Sequence, residues 1–387
     1  MRRRSYEEPI PISELKLDLS SVDVPVIRNI VSRGFNKNQL LILKEIRCNI
    51  GRSLTSILRD ASRRYGIPLS TLKLNAKILK DLNILKVDNG GSRGVYLTPL
   101  GEFVCELLGI TSYGREFSVD PKLIQSLNEK ASLVRKHVLE MMAEAGSGHV
   151  GASLSVVDVL VALYFAKMRY DPKNPSWPLR DRLILSEGHA APALYAVLAL
   201  AGFIPTSELY KLRDINNYLS GHPEIIIPGV DMISGSLGQG LSVGCGMALA
   251  LKRDGINSKV YVILGDGELD EGQVWEAALT ASKYKLNNLV AIVDRNRYQQ
   301  GGPTEHIKPL EPLAMKWIAF GWHVIEVNGH DFRELLRALN EVDYVMDKPS
   351  AIIAHTIKGK GYPPAEGNND YHNKPISKDE LRLWGFK

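Results

Sequence analysis

From about residue 121 onward, short apolar runs recur between helical stretches, at 182–186, 260–264, 289–293, 323–327 and 351–356. Strands that alternate with helices pair in parallel, because each return to the sheet needs a crossover long enough to hold a helix. The pattern predicts an α/β fold, a doubly wound parallel sheet, and limits the answer more tightly than composition does. The 387 residues, 44% of them hydrophobic, suffice for two or three domains and a generous core in an ordinary globular protein.

Two of the runs end on polar tips. The run 260–264 stops at Gly265-Asp266-Gly267, and the run 289–293 ends shortly before Asn296. Asp266 and Asn296 are thirty positions apart, the length a strand–helix–strand unit needs to set them side by side. A carboxylate and an amide oxygen on adjacent strand ends suit a hard divalent cation that keeps open positions for water and phosphate oxygens. The glycines let backbone approach a diphosphate closely.

Four further segments carry glycine and histidine together or in loops that open helices. They are Gly146-Ser147-Gly148-His149, Ser186-Glu187-Gly188-His189, Gly221-His222-Pro223-Glu224 and Gly235-Ser236-Leu237-Gly238-Gln239-Gly240. The last is a standard place to hold an anion. Each alone has a structural explanation, as a core histidine, a plain turn or a tightly packed helix start. A dinucleotide site fits poorly, since Gly238, Gly240 and Gly244 miss the required spacing. His330-Asp331, ahead of a helical stretch, reads as a turn and helix cap.

Taken in order, and with Glu271-Gly272 and Lys358-Gly359-Lys360-Gly361, these segments resemble the transketolase family over about residues 121–387. The similarity is to that enzyme's amino-terminal, diphosphate-binding half. It implies thiamine diphosphate and Mg²⁺ or Ca²⁺, the metal held by Asp266, Asn296 and the carbonyl of Tyr298. His189, Gly265, Gly267 and the loop with Gly235, Leu237, Gly238 and Gly240 would contact the cofactor. His149 and His222 would face the substrate, shuttling protons as imidazoles that titrate near neutrality. His372 matches a further active-site histidine, although Asn373 replaces the usual glycine. Glu271 would sit at a subunit interface, in an acidic contact between two active sites.

The resemblance also implies a partner. A full-length transketolase continues past the position of Lys387 into a pyrimidine-binding domain and a third domain, so the expectation is a two-chain enzyme of α₂β₂ form. Its reaction would transfer a two-carbon ketol unit between sugar phosphates, and this chain alone would be inactive. Two alternatives stay open. The run 358–366 also resembles 1-deoxyxylulose-5-phosphate synthase, and a DNA-binding regulator could keep the cofactor fold as a metabolite sensor.

The leading third differs in character. The first 120 residues hold 19 Lys/Arg against 13 Asp/Glu, whereas the remainder holds 29 against 30 and all nine histidines. After an arm at 1–35, the segment 36–110 reads as three short helices, a hairpin turning at 89–94 and a closing helix. It resembles winged helix-turn-helix domains, with 111–120 as a linker to the domain at 121–387. Ser70 is expected to cap the third helix, whose inward stripe would be Leu72, Ala76, Leu79 and Leu82. In such domains that helix enters the major groove, offering Ser70, Thr71, Lys73, Asn75 and Lys77, with Arg93 on the wing. The same face equally suits partner docking, and a surplus of six positive charges is modest for a nucleic-acid binder.

The three cysteines are scattered, which argues against a disulfide framework or zinc site and for a reducing cytoplasm. The basic start at 1–5 is followed by no apolar run, so it is not a secretory signal. The apolar window 156–166 is interrupted by Asp158 and too short to span a bilayer, so no membrane association is expected.

Overall fold

A computed structural model of the chain describes residues 34–47, 52–87, 94–108 and 119–384. The chain divides into two compact units, Met1–Glu116 and Phe117–Lys387. Among the described residues, no helix is long and apolar enough to cross a membrane.

The leading unit holds α1 (Lys37–Arg47), α2 (Leu54–Tyr65), α3 (Leu69–Asp81), β1 (Leu85–Val87), β2 (Val95–Leu97) and α4 (Pro99–Leu107). Ser53 caps α2 by accepting from the Ser56 N–H, and Gly66 ends it at φ 66°, where a side chain would be strained. β1 and β2 pair antiparallel. Leu43, Ile57, Leu72, Leu79 and Val95 meet in an apolar core. Two expectations fail here. α3 starts one residue before Ser70, with Pro68 in the capping position and no side-chain cap. Leu82 is 52% exposed, because α3 ends at Asp81 and Asn83 turns the chain at φ 55°. Residues 1–33 of the arm, the hairpin turn through Arg93 and most of the expected linker lie outside the described residues.

The second unit opens with α5 (Pro121–Ala145), capped by Asp120, which accepts from the Lys122 N–H. α6 (Val150–Ser155), α7 (Val157–Ala162), β3 (Arg182–Leu185), α8 (Ala191–Leu200) and α9 (Gln239–Arg253) follow. Then come β4 (Val260–Gly265), α10 (Gly272–Lys283), β5 (Leu289–Arg295), β6 (Tyr298–Gln299), β7 (Gly302–Pro303) and α11 (Thr304–Ile307). The unit closes with α12 (Leu313–Ala319), β8 (His323–Asn328), α13 (Phe332–Glu341), β9 (Ser350–His355) and α14 (Lys378–Leu383).

Five strands form one sheet in the order β3-β4-β5-β9-β8, and all its pairs are parallel. This is the sheet the apolar runs predict. Successive side chains point to opposite faces. Tyr261, Ile263, Val290 and Ile292 thus enter one core layer with α5, α7 and α8, while Val262, Leu264, Ala291 and Val293 enter another with α9, α10 and α12. Burial on both faces explains why these runs are apolar at every position.

The path from β4 through β5 to β8 advances across the sheet along the face of α10 and α12, and the step from β8 to β9 returns along the other through α13. Opposite faces for opposite directions is what right-handed crossovers require. Beyond β5 the chain leads to α12 on one face. Beyond β9 it passes over α6 on the other, where Gly359 N–H donates to the Gly151 carbonyl. The two exits diverge at the carboxyl ends of the strands, where open α/β sheets bind their ligands.

Candidate functional site

Asp266 follows the last residue of β4 and is 1% exposed. Its Oδ1 accepts from the Gly267 N–H at 2.8 Å, and its Oδ2 accepts from the Arg297 N–H at 2.6 Å and from Arg295 Nη1 at 2.9 Å. The bond to Asp266 holds Arg297 in the left-handed region, φ 70°, and so bends the chain sharply beyond β5. Arg295 also reaches Thr304, Glu305 and Glu311. A buried guanidinium needs such a set of acceptors to offset its lost hydration. Burial lifts the Asp266 carboxyl to about 7, against the pull of Arg295.

Asn296 is held from below by a residue outside the sequence motifs. Asp294, the partner of Gly265 in the sheet, is fully buried. Its Oδ2 accepts from Asn296 Nδ2 at 3.1 Å and from Ser155 Oγ at 2.5 Å, and its Oδ1 accepts from the Thr356 hydroxyl. This fixes the amide with Oδ1 on the side of Tyr298, whose N–H donates to it at 3.0 Å. Asp266, Asn296 and Tyr298 therefore belong to one interlocked turn across the ends of β4 and β5.

Glu268 performs a similar service for the glycine-rich loop. Its Oε1 accepts from the Gly238 N–H at 2.8 Å and from the Ser186 hydroxyl, and its Oε2 accepts from the Gly265 N–H at 3.0 Å. The Gly240 N–H donates to Ser186 Oγ at 3.1 Å. The ends of β3 and β4 and the start of α9 are thereby tied together. Gly238 sits at φ 83°, and a Cβ there would stand 2.7 Å from that of Glu271; one at Gly267 would stand 2.6 Å from that of Gln299. Only glycine fits at either place. Gly235 lies against the His222 ring, whereas Leu237 is half-buried with no polar role. Glu271 is exposed at the start of α10.

Three of the predicted histidines meet. Ring centroids are 5.1 Å apart for His149 and His189, 5.6 Å for His149 and His372, and 5.9 Å for His189 and His372. Burial lowers their pKa values to about 4, 3 and 4 respectively, with neighbouring charges assisting. His222 is lowered too, by burial and then Arg213. The expectation of imidazoles titrating near neutrality is corrected. Burial keeps them neutral, able to donate through one nitrogen and accept through the other.

Lys358, which the sequence motif contains without a role, is 1% exposed and spans the cluster. Its Nζ lies 2.7 Å from Asn369 Oδ1 and 2.9 Å from His372 Nδ1, and burial lowers its pKa to about 8. Glu187, beside His189, has a carboxyl pushed well above the usual range by burial and the nearby Asp294. Buried polar atoms without a protein partner face this region: His149 Nδ1, Glu187 Oε1 and Gln299 Oε1. Open glycine backbone, neutral imidazoles and unsatisfied polar atoms together fit a polar, phosphate-bearing ligand. Arg295, Asp294 and Glu268 stand close to Asp266 or Asn296 in the sequence, which alone gives them no role.

In the leading unit, Ser70, Lys73 and Lys77 are exposed on α3 and Thr71 is half-buried. Asn75 is a correction. It is 6% exposed, donates to the Thr71 carbonyl at 2.9 Å and accepts from Asn36 at 2.8 Å, so it cannot offer its amide to a groove.

Residues 126–386 match the family described as transketolase, thiamine diphosphate binding domain. The chain belongs to the transketolase family. The 6-deoxy-6-sulfo-D-fructose transketolase subunit SqwG of Clostridium sp. (strain MSTE9) is 47% identical over 65% of this chain and 92% of that protein. An apulose-4-phosphate transketolase subunit of Phocaeicola vulgatus is 44% identical over 65% of this chain and 89% of its own length. The crystal structure of Campylobacter jejuni transketolase superposes with a TM-score of 0.64 at 36% identity, covering 68% of this chain and 43% of that one. The chain thus spans less than half of that single-chain transketolase, and nearly all of the two subunits. Transketolases are thiamine-diphosphate-dependent transferases, and 126–386 is their cofactor-binding domain. The leading unit precedes that match.

Proposed function

We propose that this chain is the diphosphate-binding subunit of a two-chain transketolase, working in an α₂β₂ assembly in the cytoplasm with a pyrimidine-binding partner subunit. One observation carries the reading: three neutral histidines stand together beside an anchored Asp266–Asn296–Tyr298 turn at the carboxyl ends of the strands. The near-complete match to two transketolase subunits supports the two-chain form over a synthase or a regulator. Their named ketose substrates both carry an anionic group, which supports a ketose phosphate or similar sugar as donor.

Asp266, Asn296 and the Tyr298 carbonyl would hold Mg²⁺ or Ca²⁺, hard-oxygen donors for a hard cation. His189, Gly265, Gly267, Gly235, Leu237, Gly238 and Gly240 would line the diphosphate and its ring. When bound, thiamine diphosphate supplies the carbanion chemistry that breaks and makes the ketol carbon–carbon bond. The chain's own part is to place the sugar and move protons. His149 and His372 face one another closely enough to grip neighbouring oxygens of one sugar. His149 can donate to a carbonyl oxygen through N–H, or take a hydroxyl proton on the opposite nitrogen, whereas His372, its Nδ1 engaged by Lys358, donates through Nε2. Lys358 holds His372 in place through its Nδ1. Glu271, exposed, is free to meet a second subunit.

Ketol transfer from a ketose phosphate to an aldose should be negligible with the purified chain and restored by adding the partner subunit. Robust transfer by the single polypeptide would overturn the two-chain reading.

We further propose that the leading unit is a winged helix-turn-helix domain, which its element order supports. Duplex contact through Ser70, Thr71, Lys73 and Lys77 is the weaker of its possible uses, because Leu74 and Ile78 are exposed on α3 as well. A gel shift on genomic fragments at low salt tests it.

A further inference from the structure

His330 reads in the sequence as part of a turn, and Asp331 does cap α13 by accepting from the Arg333 N–H. The histidine itself does something else. Its Nε2 accepts from the Ile357 N–H at 2.8 Å, and its Nδ1 lies 2.6 Å from Asp158 Oδ2. A ring nitrogen that accepts from an amide is unprotonated, so the proton sits on Nδ1 and is donated to Asp158. Asp158 is 4% exposed and also takes a two-pronged contact from Arg135, Nη1 at 3.1 Å and Nη2 at 2.6 Å. The third donor of that guanidinium, Nε, reaches the Lys360 carbonyl at 3.0 Å.

His330 and Arg135 therefore grip the segment 357–361 at two points, its first amide and its fourth carbonyl, through one shared carboxylate. Lys358 lies between the two grips. It turns away from them towards Asn369 and His372. Between the two grips the Gly359 N–H donates to the Gly151 carbonyl at 2.9 Å. Gly359 adopts φ 77°, Gly361 adopts φ 89° with Arg135 Cδ 2.7 Å from where its Cβ would be, and the Lys358 stem packs on Gly151.

We propose that His330, Asp158 and Arg135 form a positioning assembly that fixes the 357–361 segment and thereby delivers Lys358 to His372. None of the three touches the histidine cluster. Their effect on it passes entirely through backbone and one lysine. That this matters for ketol transfer rests on the two-chain transketolase reading; that it holds Lys358 does not.

The two ring nitrogens separate the proposal from a general structural role. His330→Gln keeps an oxygen near the place of Nε2 and can still accept from the Ile357 N–H. His330→Asn keeps a donor near the place of Nδ1 for Asp158 but cannot reach Ile357. The measurement is trace acetylation of Lys358 in the full-length chain, read by mass spectrometry, without cofactor or partner. We expect labelling about tenfold faster in His330→Asn and His330→Ala, the equivalent of one lost buried hydrogen bond, and within about twofold of the parent in His330→Gln. Equal labelling in His330→Asn and His330→Gln would overturn the proposal. If His330→Ala fails to fold, the Asn and Gln pair still decides it. In the reconstituted enzyme, faster labelling with unchanged ketol transfer would leave the positioning assembly standing and count against the role given to Lys358 and His372.

Discussion

The strand ends of the α/β unit and helix α3 of the leading unit place their charges in opposite ways. In the α/β unit, Asp266, Glu268, Asp294, Arg295 and Lys358 are all buried within a short distance of the strand ends, each with partners that fix its orientation. In the leading unit, the α3 lysines Lys73, Lys77 and Lys80 point outward over a simple apolar core. Burying several charges together opposes folding unless every one is satisfied, so such a cluster marks a place where something other than stability was selected. Outward lysines cost nothing and mark nothing. The comparison predicts large, specific effects from the first set and small ones from the second.

The largest effect is expected at Asp266. Its replacement by alanine removes a proposed cation ligand and releases both Arg295 and the Arg297 N–H. Thiamine diphosphate uptake by the reconstituted complex, followed by calorimetry, should weaken by more than about a hundredfold. Unchanged uptake would remove the basis for the whole functional reading. Asp294→Asn tests the layer beneath. It can no longer accept from Ser155, Thr356 and Asn296 together, so the Asn296 amide loses its fixed direction, and affinity should fall by about ten- to a hundredfold. Uptake equal to that of the parent would mean that Asn296 is held by its neighbours alone.

Much of this site was legible in the sequence because its chemistry depends on residue type. Glycine at 238 and 267 is required by close approach, and an acidic or amide residue at a strand end has few other uses. The five strands were legible for a related reason, since burial on both faces leaves no polar position in the run. What escaped was the supporting layer. Asp294, Arg295 and Glu268 are ordinary charges in a sequence, and only the sheet register shows that they lie beneath Asn296, Asp266 and Gly238. Asn75 failed in the other direction, since counting along a helix does not reveal that Asn36 lies opposite it. The electrostatics also escaped, because the burial that keeps His149, His189 and His372 neutral comes from segments more than two hundred residues apart.

Those histidines give a prediction in pH. Their folded pKa values, about 4, 3 and 4, lie below the ordinary imidazole value of 6.5. Above that value both folded and unfolded chains hold them neutral, and stability does not depend on them. Below it the unfolded chain takes up protons that the folded chain refuses, so stability falls as pH drops from about 6.5 to about 4 for His149 and His372 and on to about 3 for His189. Urea unfolding across that window should show the loss. Replacing any one of the three by asparagine should reduce the slope by up to one proton. A slope unchanged in all three variants would show that these rings are already charged in the native state.

The smallest effects should come from α3. Lys73→Ala with Lys77→Ala removes two exposed charges and leaves the apolar core intact, so unfolding free energy should move by less than about 0.5 kcal/mol. Affinity for thiamine diphosphate should stay within about twofold, since the transketolase match begins only at residue 126. The same double variant tests the groove. If α3 lay against a duplex, each lysine would contribute about one unit to the salt dependence of binding. The parent chain would then retard DNA at low salt and the variant would do so less. We expect no retardation by either, because Asn75 is committed to Asn36 and the outer face of α3 carries Leu74 and Ile78 among its lysines. A shift seen with the parent and lost in the variant would make the leading unit a reader of nucleic acid, and its outward charges would then mark a site after all.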